Sequence, residues 1–505
     1  MKEHKRRPRL VGFIISVSII GLVAFGVYQC STYDWPSSSS SSEEDSSSSE
    51  VSNLRTVWFD LNGYNSIDPP SPQSADIGSL LTQPSLTRIG YFLQGWTDSP
   101  SGGTYWDFAT DTIADNMTLY AQWFKNTYTA FFDLNGGAGT LPISQQTTYL
   151  SFDDTERTNM YAMPTTTDFT NGALTFNGWW LKDNLGNFTQ EWNFASDLPL
   201  EDMTLYAGWG SVGEFNHYEY IEYDTAVKIT GYNDTTYVGG TLLIPDYIHS
   251  KPVLSIGVDA FNNFFCTDEI ALPDTLTTIQ TGAFRNSQSP FQLVIPDKVT
   301  SIGTRAFANC PNLYSVEFGT GLRNIGVQAF YECDNLGSQS EIVIPSNVLS
   351  IDDRAFDITE VLQVALEEGI SFSEGLIYIG PSAFAHGNFS SLELPDSVEY
   401  IGREAFSYCR DLAEIHIGKG ILSIGYDAFR YANSNTPTYL HVYIDAVTPP
   451  ILASAVCFGE MTWSGGNPSR PGLWFIVPDG SVDAYEADPQ WSMYYHDRFV
   501  TFMIS

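Results

Sequence analysis

Basic residues are scarce in this 505-residue chain: 23 Lys and Arg stand against 59 Asp and Glu, a formal net charge of −36. Five of them (Lys2, Lys5, Arg6, Arg7 and Arg9) precede position 10, so the body is more acidic still. Nucleic-acid binding needs Lys/Arg clusters that displace counterions from phosphates, and none is present. The acidity reads instead as a solvated surface. Six cysteines are too few for a disulfide framework at this length. Seven histidines lie scattered, with no His-x-x-x-His pair to hold a metal. There is no Gly-x-Ser-x-Gly nucleophile turn and no Gly-x-x-x-x-Gly-Lys phosphate loop. Gly136-Gly137-Ala138-Gly139 reads as a turn. Carboxylates are abundant, but none stands in a recognisable glycosidase context. No catalytic, cofactor-binding or metal-binding residue is assigned, and no cofactor is expected.

What is present is repetition. Ala-Phe returns eight times, at Phe261, Phe284, Phe307, Phe330, Phe356, Phe384, Phe406 and Phe429, with spacings of 23, 23, 23, 26, 28, 22 and 23 residues. A period near 23 suits a solenoid coil that carries one short strand per turn. The clearest copy runs Leu293-Val294-Ile295-Pro296, Val299, Ile302-Gly303, then Ala306-Phe307-Ala308-Asn309-Cys310. Alternation sends the outer strand residues inward and the middle one onto the sheet face, and proline ends the strand. Gly303, Gly326, Gly402 and Gly425 are expected to ease a corner. Each Ala leaves room for a Phe, so stacked coils predict a column of rings. Cys310, Cys333 and Cys409 each follow a repeat Phe by three residues, which suits small buried thiols; a Cys310–Cys333 bridge is the alternative.

This phrase resembles the BspA-type leucine-rich repeat of bacterial surface proteins, over roughly residues 218 to 505. Residues 215–505 then form the solenoid. Strands near Tyr218–Tyr223 and Ala226–Tyr232 open it; Trp474–Pro478 is the expected last strand, and a short helix at Ser481–Tyr485 closes it.

A longer repeat precedes the solenoid. Val57-Trp58-Phe59-Asp60-Leu61-Asn62-Gly63, Gly90-Tyr91-Phe92-Leu93-Gln94-Gly95-Trp96, Trp106-Asp107-Phe108 and Met117-Thr118-Leu119-Tyr120-Ala121-Gln122-Trp123 come first. Ala130-Phe131-Phe132-Asp133-Leu134-Asn135-Gly136, Leu174-Thr175-Phe176-Asn177-Gly178-Trp179, Trp192-Asn193-Phe194 and Met203-Thr204-Leu205-Tyr206-Ala207-Gly208-Trp209 answer in the same order. These blocks resemble the InlB B-repeat, or Listeria–Bacteroides repeat, at residues 54–124 and 125–210. The resemblance implies two small β-grasp-like modules that serve as stalk or binding unit. Their Trp and Tyr residues are core, with a sugar platform as the alternative.

At the N-terminus, basic residues precede nineteen uncharged residues, Leu10–Tyr28. That order keeps the start inside the cell and sends the rest across. Either the stretch spans as an uncleaved helix, or Cys30 is the lipidated residue of a lipoprotein signal; residues 1–30 are the anchor segment either way. The serine and acid tract within residues 31–53 has nothing to bury and reads as a disordered spacer.

The fold class is thus mainly β: two β-grasp-like modules and a leucine-rich-repeat solenoid behind an anchor and linker. One candidate binding strip follows from the strand register: Leu243, Ala271, Val294, Glu317, Val343, Ala365, Glu393, His416 and Tyr443. Small and apolar residues dominate it, and contiguous apolar surface marks contact sites. The expected protein is non-catalytic and tethered to the outer face of the cytoplasmic membrane, and it binds an extracellular protein or glycan. A structural envelope component without a ligand and a carbohydrate-active enzyme are the rival readings.

Overall fold

A computed structural model of the chain describes residues 53–62, 69–141, 144–148, 152–153, 156–157, 161–164, 168–234, 240–265, 269–289, 291–358, 369–434, 440–454, 457–458, 473–494 and 499–502. The anchor stretch Leu10–Tyr28, Cys30, the serine tract and Ala365 lie outside them. Among the described residues no helix is long and apolar enough to cross a membrane.

Each coil of the solenoid makes three ladders with its neighbours. The first comprises the predicted strands, such as Ile342–Ile344 and Ser391–Leu394, with the buried–exposed–buried alternation that the Ile-x-Ile pattern demands. The second comprises two-residue strands: Thr278–Ile279, Ser301–Ile302, Asn324–Ile325, Ser350–Ile351, Tyr378–Ile379, Tyr400–Ile401, Ser423–Ile424 and Ile451–Leu452. They pair in parallel, residue for residue, in one unbroken sheet that begins at Lys251–Ile256. The third is formed at the Ala-Phe pairs: each Phe N–H donates to the Ala carbonyl of the next coil, at 2.7 Å from Phe284 to Ala306 and 2.8 Å from Phe330 to Ala355.

The rings form the predicted column. From Phe261 to Phe429 each ring stacks on the next at centroid separations of 5.0–5.4 Å and interplanar angles of 1–10°. A ninth ring, Phe458, continues the stack at 5.2 Å, with Cys457 in the place of alanine. All nine are buried in one core that runs the length of the solenoid.

The expectation about the corners is corrected. The residue before Ala-Phe takes the left-handed conformation, yet it is Asp259, Arg305, Gln328, Arg354, Ser382, Glu404 or Asp427, with φ of 51–57°. Inter-coil hydrogen bonds hold these residues there against their local preference. Gly303, Gly326, Gly402 and Gly425 are not among the positive-φ residues. They are needed for close approach: a Cβ on Gly326 would lie 2.5 Å from the Ile302 carbonyl oxygen, and one on Gly303 would lie 2.6 Å from the Gln280 carbonyl carbon. The closing end is also longer than expected, because Phe499–Phe502 adds a parallel strand beyond Leu473–Pro478. The helix at Val482–Ala487 lies close to the predicted place. Cys310, Cys333, Cys409 and Cys457 are free and buried. The first three point their Sγ at the Phe carbonyl of the preceding coil, at 3.1–3.3 Å.

The two preceding repeats fold alike. In the first, Leu54–Asp60 and Met117–Lys125 are parallel and central, with Gln73–Asp76 and Tyr91–Thr97 antiparallel outside them. The second repeats the arrangement with Thr127–Asp133 beside Met203–Phe215, flanked by Gln145–Thr148 and Thr175–Lys182. Trp96 and Trp179 fill the two cores edge-on to Phe59 and Phe132, at 5.0 Å each. The buried Trp96 and Trp179 are thus packing residues, whereas Trp58 is 45% exposed. Strand Met203–Phe215 then pairs with Tyr218–Glu222, which pairs with Val227–Tyr232, which joins Lys251–Ile256. The second module and the solenoid therefore share one sheet.

Candidate functional site

The solenoid has two sheet faces, and the structure treats them differently. On the strand face Leu243 pairs with Ala271, Val294 with Glu317, and Glu393 with His416, which pairs with Tyr443. In the coil after Val343 the register brings Ser371, not Ala365, opposite it. Ile370 and Phe372 supply the alternation there, fourteen and sixteen residues past Phe356. The longer Phe spacings insert their extra residues between ring and strand, which displaced the expected position. The strand face is divided into separate pairs and a C-terminal sheet of five strands, whereas the other face is continuous.

Leu243, Val294 and Val343 are 67%, 47% and 53% exposed, and Glu317 and Glu393 are exposed too. Ala271, His416 and Tyr443 are half-buried, with the His416 and Tyr443 rings stacked at 4.2 Å and 6°. The strip therefore has an apolar part toward the N-terminal coils and a ring-and-carboxylate part toward the C-terminus. Nearby, burial and the Asp396 charge push the Asp445 carboxyl up, while His416 and Lys419 pull it down.

The second face is covered by the two modules, and its residues went unread in the sequence. The first residue of each short strand points outward, and several of these residues are small and polar: Ser255, Thr278, Ser301, Asn324 and Ser350, all buried. Ser255 and Thr278 meet Glu191, just before Trp192, and Ser301 and Asn324 meet the turn after it, while Ser350 Oγ donates to Asn324 Oδ1. Ser255 Oγ donates to Glu191 Oε2 at 2.6 Å, and Thr278 Oγ1 to the Glu191 carbonyl at 3.0 Å. Lys228 Nζ closes on Glu191 Oε1 at 2.7 Å. Ser301 Oγ donates to Asp197 Oδ1, and Asn324 Nδ2 to the Ser196 carbonyl at 2.6 Å. Burial pushes the Asp197 carboxyl up to about 6, against the hydrogen bonds from Ser301, Asn193 and Gln190; the Glu191 charge adds to the rise.

One position earlier, a second column runs along the same face. Thr277, Thr300, Arg323, Leu349, Ile377, Glu399 and Leu422 are linked coil to coil by backbone hydrogen bonds. Leu349 and Ile377 pack with Leu198, Leu200, Tyr91 and Tyr128 of the modules. Glu399 meets Arg88 of the first module at 2.6 Å, with side chains only 4% and 7% exposed. The Arg88 guanidinium also lies 3.7 Å from the Tyr91 ring centroid. Despite Arg88 and Lys125, burial holds the Glu399 carboxyl above its usual range. A Ser, Thr or Asn recurring before the coil Ile, at Ser255, Thr278, Ser301, Asn324, Ser350 and Ser423, was the available signal. It was missed because a polar residue on a strand normally reads as solvent-facing.

Both modules carry the same turn, Trp106-Asp107-Phe108-Ala109-Thr110-Asp111 and Trp192-Asn193-Phe194-Ala195-Ser196-Asp197. In each, the second residue's N–H donates to the last Asp carboxylate at 2.8 Å. Only the second copy is buried against the solenoid. No group of His, Cys, Asp and Glu among the described residues could hold a metal ion.

Comparison with known families agrees with this division. Six copies of the BspA-type leucine-rich repeat match residues 254–374 and 338–443, and the Listeria–Bacteroides repeat matches residues 56–122 and 128–208. The chain is built from these two repeat types. Among relatives, Internalin H of Listeria monocytogenes is 36% identical over 162 residues, 31% of this chain and 25% of its own length. A protein of Evansella cellulosilytica named as a Gly-rich membrane protein is 34% identical over 158 residues, 31% of this chain and 16% of its own. The chain thus spans a quarter or less of these curated relatives. Of solved structures, a leucine-rich repeat protein from Bacteroides ovatus is 16% identical, covering 59% of this chain and 98% of that one, with a TM-score of 0.27. The leucine-rich repeat protein of T. pallidum is 19% identical, covering 53% and 92%, with a TM-score of 0.26. The leucine-rich repeats thus supply both sheet faces, and the Listeria–Bacteroides repeats cover one of them.

Proposed function

We propose that this is a non-catalytic surface protein that holds out the strand face of its solenoid to an extracellular protein or glycan, tethered through its N-terminal segment. The observation that carries the reading is the asymmetry of the two faces. The short-strand face is occupied by the modules, while Leu243, Val294 and Val343 stand exposed in a row of coils on the other. Exposed aliphatic residues on alternate coils of a flat sheet, with Ala271 and Glu317 between them, form the kind of surface that partners bury. The order of strands in each module, with a parallel central pair, supports the β-grasp-like reading. The modules lie along the solenoid and do not extend it.

The test is binding of the full chain to host or neighbouring-cell surfaces, compared with the Val294→Lys/Val343→Lys double variant. Saturable binding lost in the variant, with melting unchanged, is expected; equal binding by both sinks the reading. The isolated solenoid is unsuitable bait, because it would bare Leu349 and Ile377.

A further inference from the structure

The strand face of the solenoid has a charge pattern of its own. Alternation turns Glu269, Glu317, Glu341, Glu393 and Glu414 outward along it, and all five are exposed. From Leu243 to Trp474 no outward strand position carries Lys or Arg. Glu317, Glu341, Glu393 and Glu414 make no ion pair among the described residues. Where the strands end, Asp396 and Asp445 continue the charge, and Lys419 there is held by Asp396 at 3.4 Å.

The arginines of the solenoid gather elsewhere. Arg285, Arg305, Arg354, Arg403 and Arg430 flank the Ala-Phe pairs of the third ladder. They meet partners there: Arg285 meets Asp259 at 3.3 Å, Arg430 meets Asp427 at 3.1 Å, and Arg305 Nε donates to Gln328 Oε1 at 2.6 Å. A net charge of −36 spreads carboxylates widely, so it is this segregation of sign, not the total, that marks the strand face. Like charges along one face repel, and a partner of opposite sign relieves them.

The exposed aliphatics add a second requirement. Leu243, Val294 and Val343 stand on alternate coils, about 10 Å apart at two ladder spacings each. A small cation would leave them in water. An anionic glycan is repelled by the glutamates, and a neutral one leaves them uncompensated. Nor do the carboxylates gather into a metal site among the described residues. A polypeptide carries cationic and apolar side chains on one backbone and meets both demands. Arginine suits the carboxylates best, because its planar fork bonds them twice and is weakly hydrated.

Resting on the proposed role of the strand face, we infer that its partner is a basic protein segment, rich in arginine or lysine with apolar residues between them. The glutamates take the cationic side chains, and Leu243, Val294 and Val343 take the apolar ones.

The full chain would be titrated by calorimetry, at low and high salt, with a synthetic peptide of alternating Arg and Val, its citrulline/Val counterpart, and spermine. Saturable binding of the Arg peptide, lost with citrulline and weakened by salt, is expected. Glu317→Gln/Glu341→Gln/Glu393→Gln/Glu414→Gln should weaken it about tenfold, the scale of four exposed ion pairs. Asp76→Asn/Asp115→Asn/Glu201→Gln/Asp224→Asn removes as much charge from exposed positions off the strand face and should leave binding nearly unchanged. Melting curves show that the variants are folded, and Glu393→Gln/Glu414→Gln alone decides if the larger strand-face set is not. Equal loss in the two sets means attraction to net charge and overturns the inference. So does spermine binding as tightly as the peptide, or the absence of saturable peptide binding. Cell-surface binding abolished by Val294→Lys/Val343→Lys yet untouched by the glutamate set overturns the basic partner alone and leaves the strand-face reading standing.

Discussion

Removing Glu399 should release the first module from the solenoid. Its carboxylate and the Arg88 guanidinium are 2.6 Å apart, both side chains almost fully buried. Glu399→Ala would leave a guanidinium without its counter-charge in a dry contact, a loss of roughly 3–5 kcal/mol when one partner of a buried pair is removed. That figure is capped by the free energy of docking itself, since the module can swing away and rehydrate Arg88. Undocking has its own cost, because it would bare the apolar cluster of Leu349, Ile377 and Tyr91. Each large side chain uncovered there forfeits about 1.5–3 kcal/mol. The two terms are of one size, so the variant should either unfold at lower denaturant or show a separate early transition for residues 54–125. Chemical denaturation with hydrogen exchange on strands Leu54–Asp60 and Met117–Lys125 distinguishes these. The double variant Arg88→Met/Glu399→Leu replaces the pair by apolar groups of similar size and should restore single-transition melting. A Glu399→Ala protein within about 0.5 kcal/mol of wild type, the range of ordinary surface changes, would refute the claim that this pair fastens the module.

Phe330→Ala removes one ring from the middle of the column and should cost about 3–5 kcal/mol by denaturant titration, while Glu317→Ala on the open face should cost less than about 0.5. Gly326→Ala should destabilise by roughly 1–3 kcal/mol although its φ is ordinary, because the new methyl meets the Ile302 carbonyl 2.5 Å away. Asp197, raised to about 6 from 3.8, binds its proton more tightly folded than unfolded. Its contribution is therefore fully present below about pH 4 and is lost as pH rises through 6. Asp197→Asn should gain stability relative to wild type on going from pH 5 to pH 7.5, by roughly 1.4 kcal/mol; a pH-independent difference in melting would contradict the assignment.

How far the chain could be read beforehand differs from one feature to the next. The coil, its inward residues, the ring column and the closing helix are visible because each is dictated by neighbours within a single period. Ser371 was misplaced to Ala365 because inserted residues between ring and strand break the count without breaking the fold. The role of Gly326 was misjudged for a related reason. A glycine looks like a need for backbone freedom, whereas the requirement here is a carbonyl of another coil lying against it. The ninth ring, Phe458, was hidden by a cysteine in place of alanine.

Amino-acid order alone determined the repeat architecture, since a hydrophobic period recurring at 22 to 28 residues has no better way to bury itself than by stacking on its own next copy. Which sheet face stays open was decided only by tertiary contact. It depends on pairs such as Arg88 with Glu399 and Asp197 with Ser301, which are far apart along the chain and belong to no shared period. A serine or glutamate on a strand carries no local mark of whether water or a folded module will meet it. That is settled when the modules close over the short strands and take those side chains out of water.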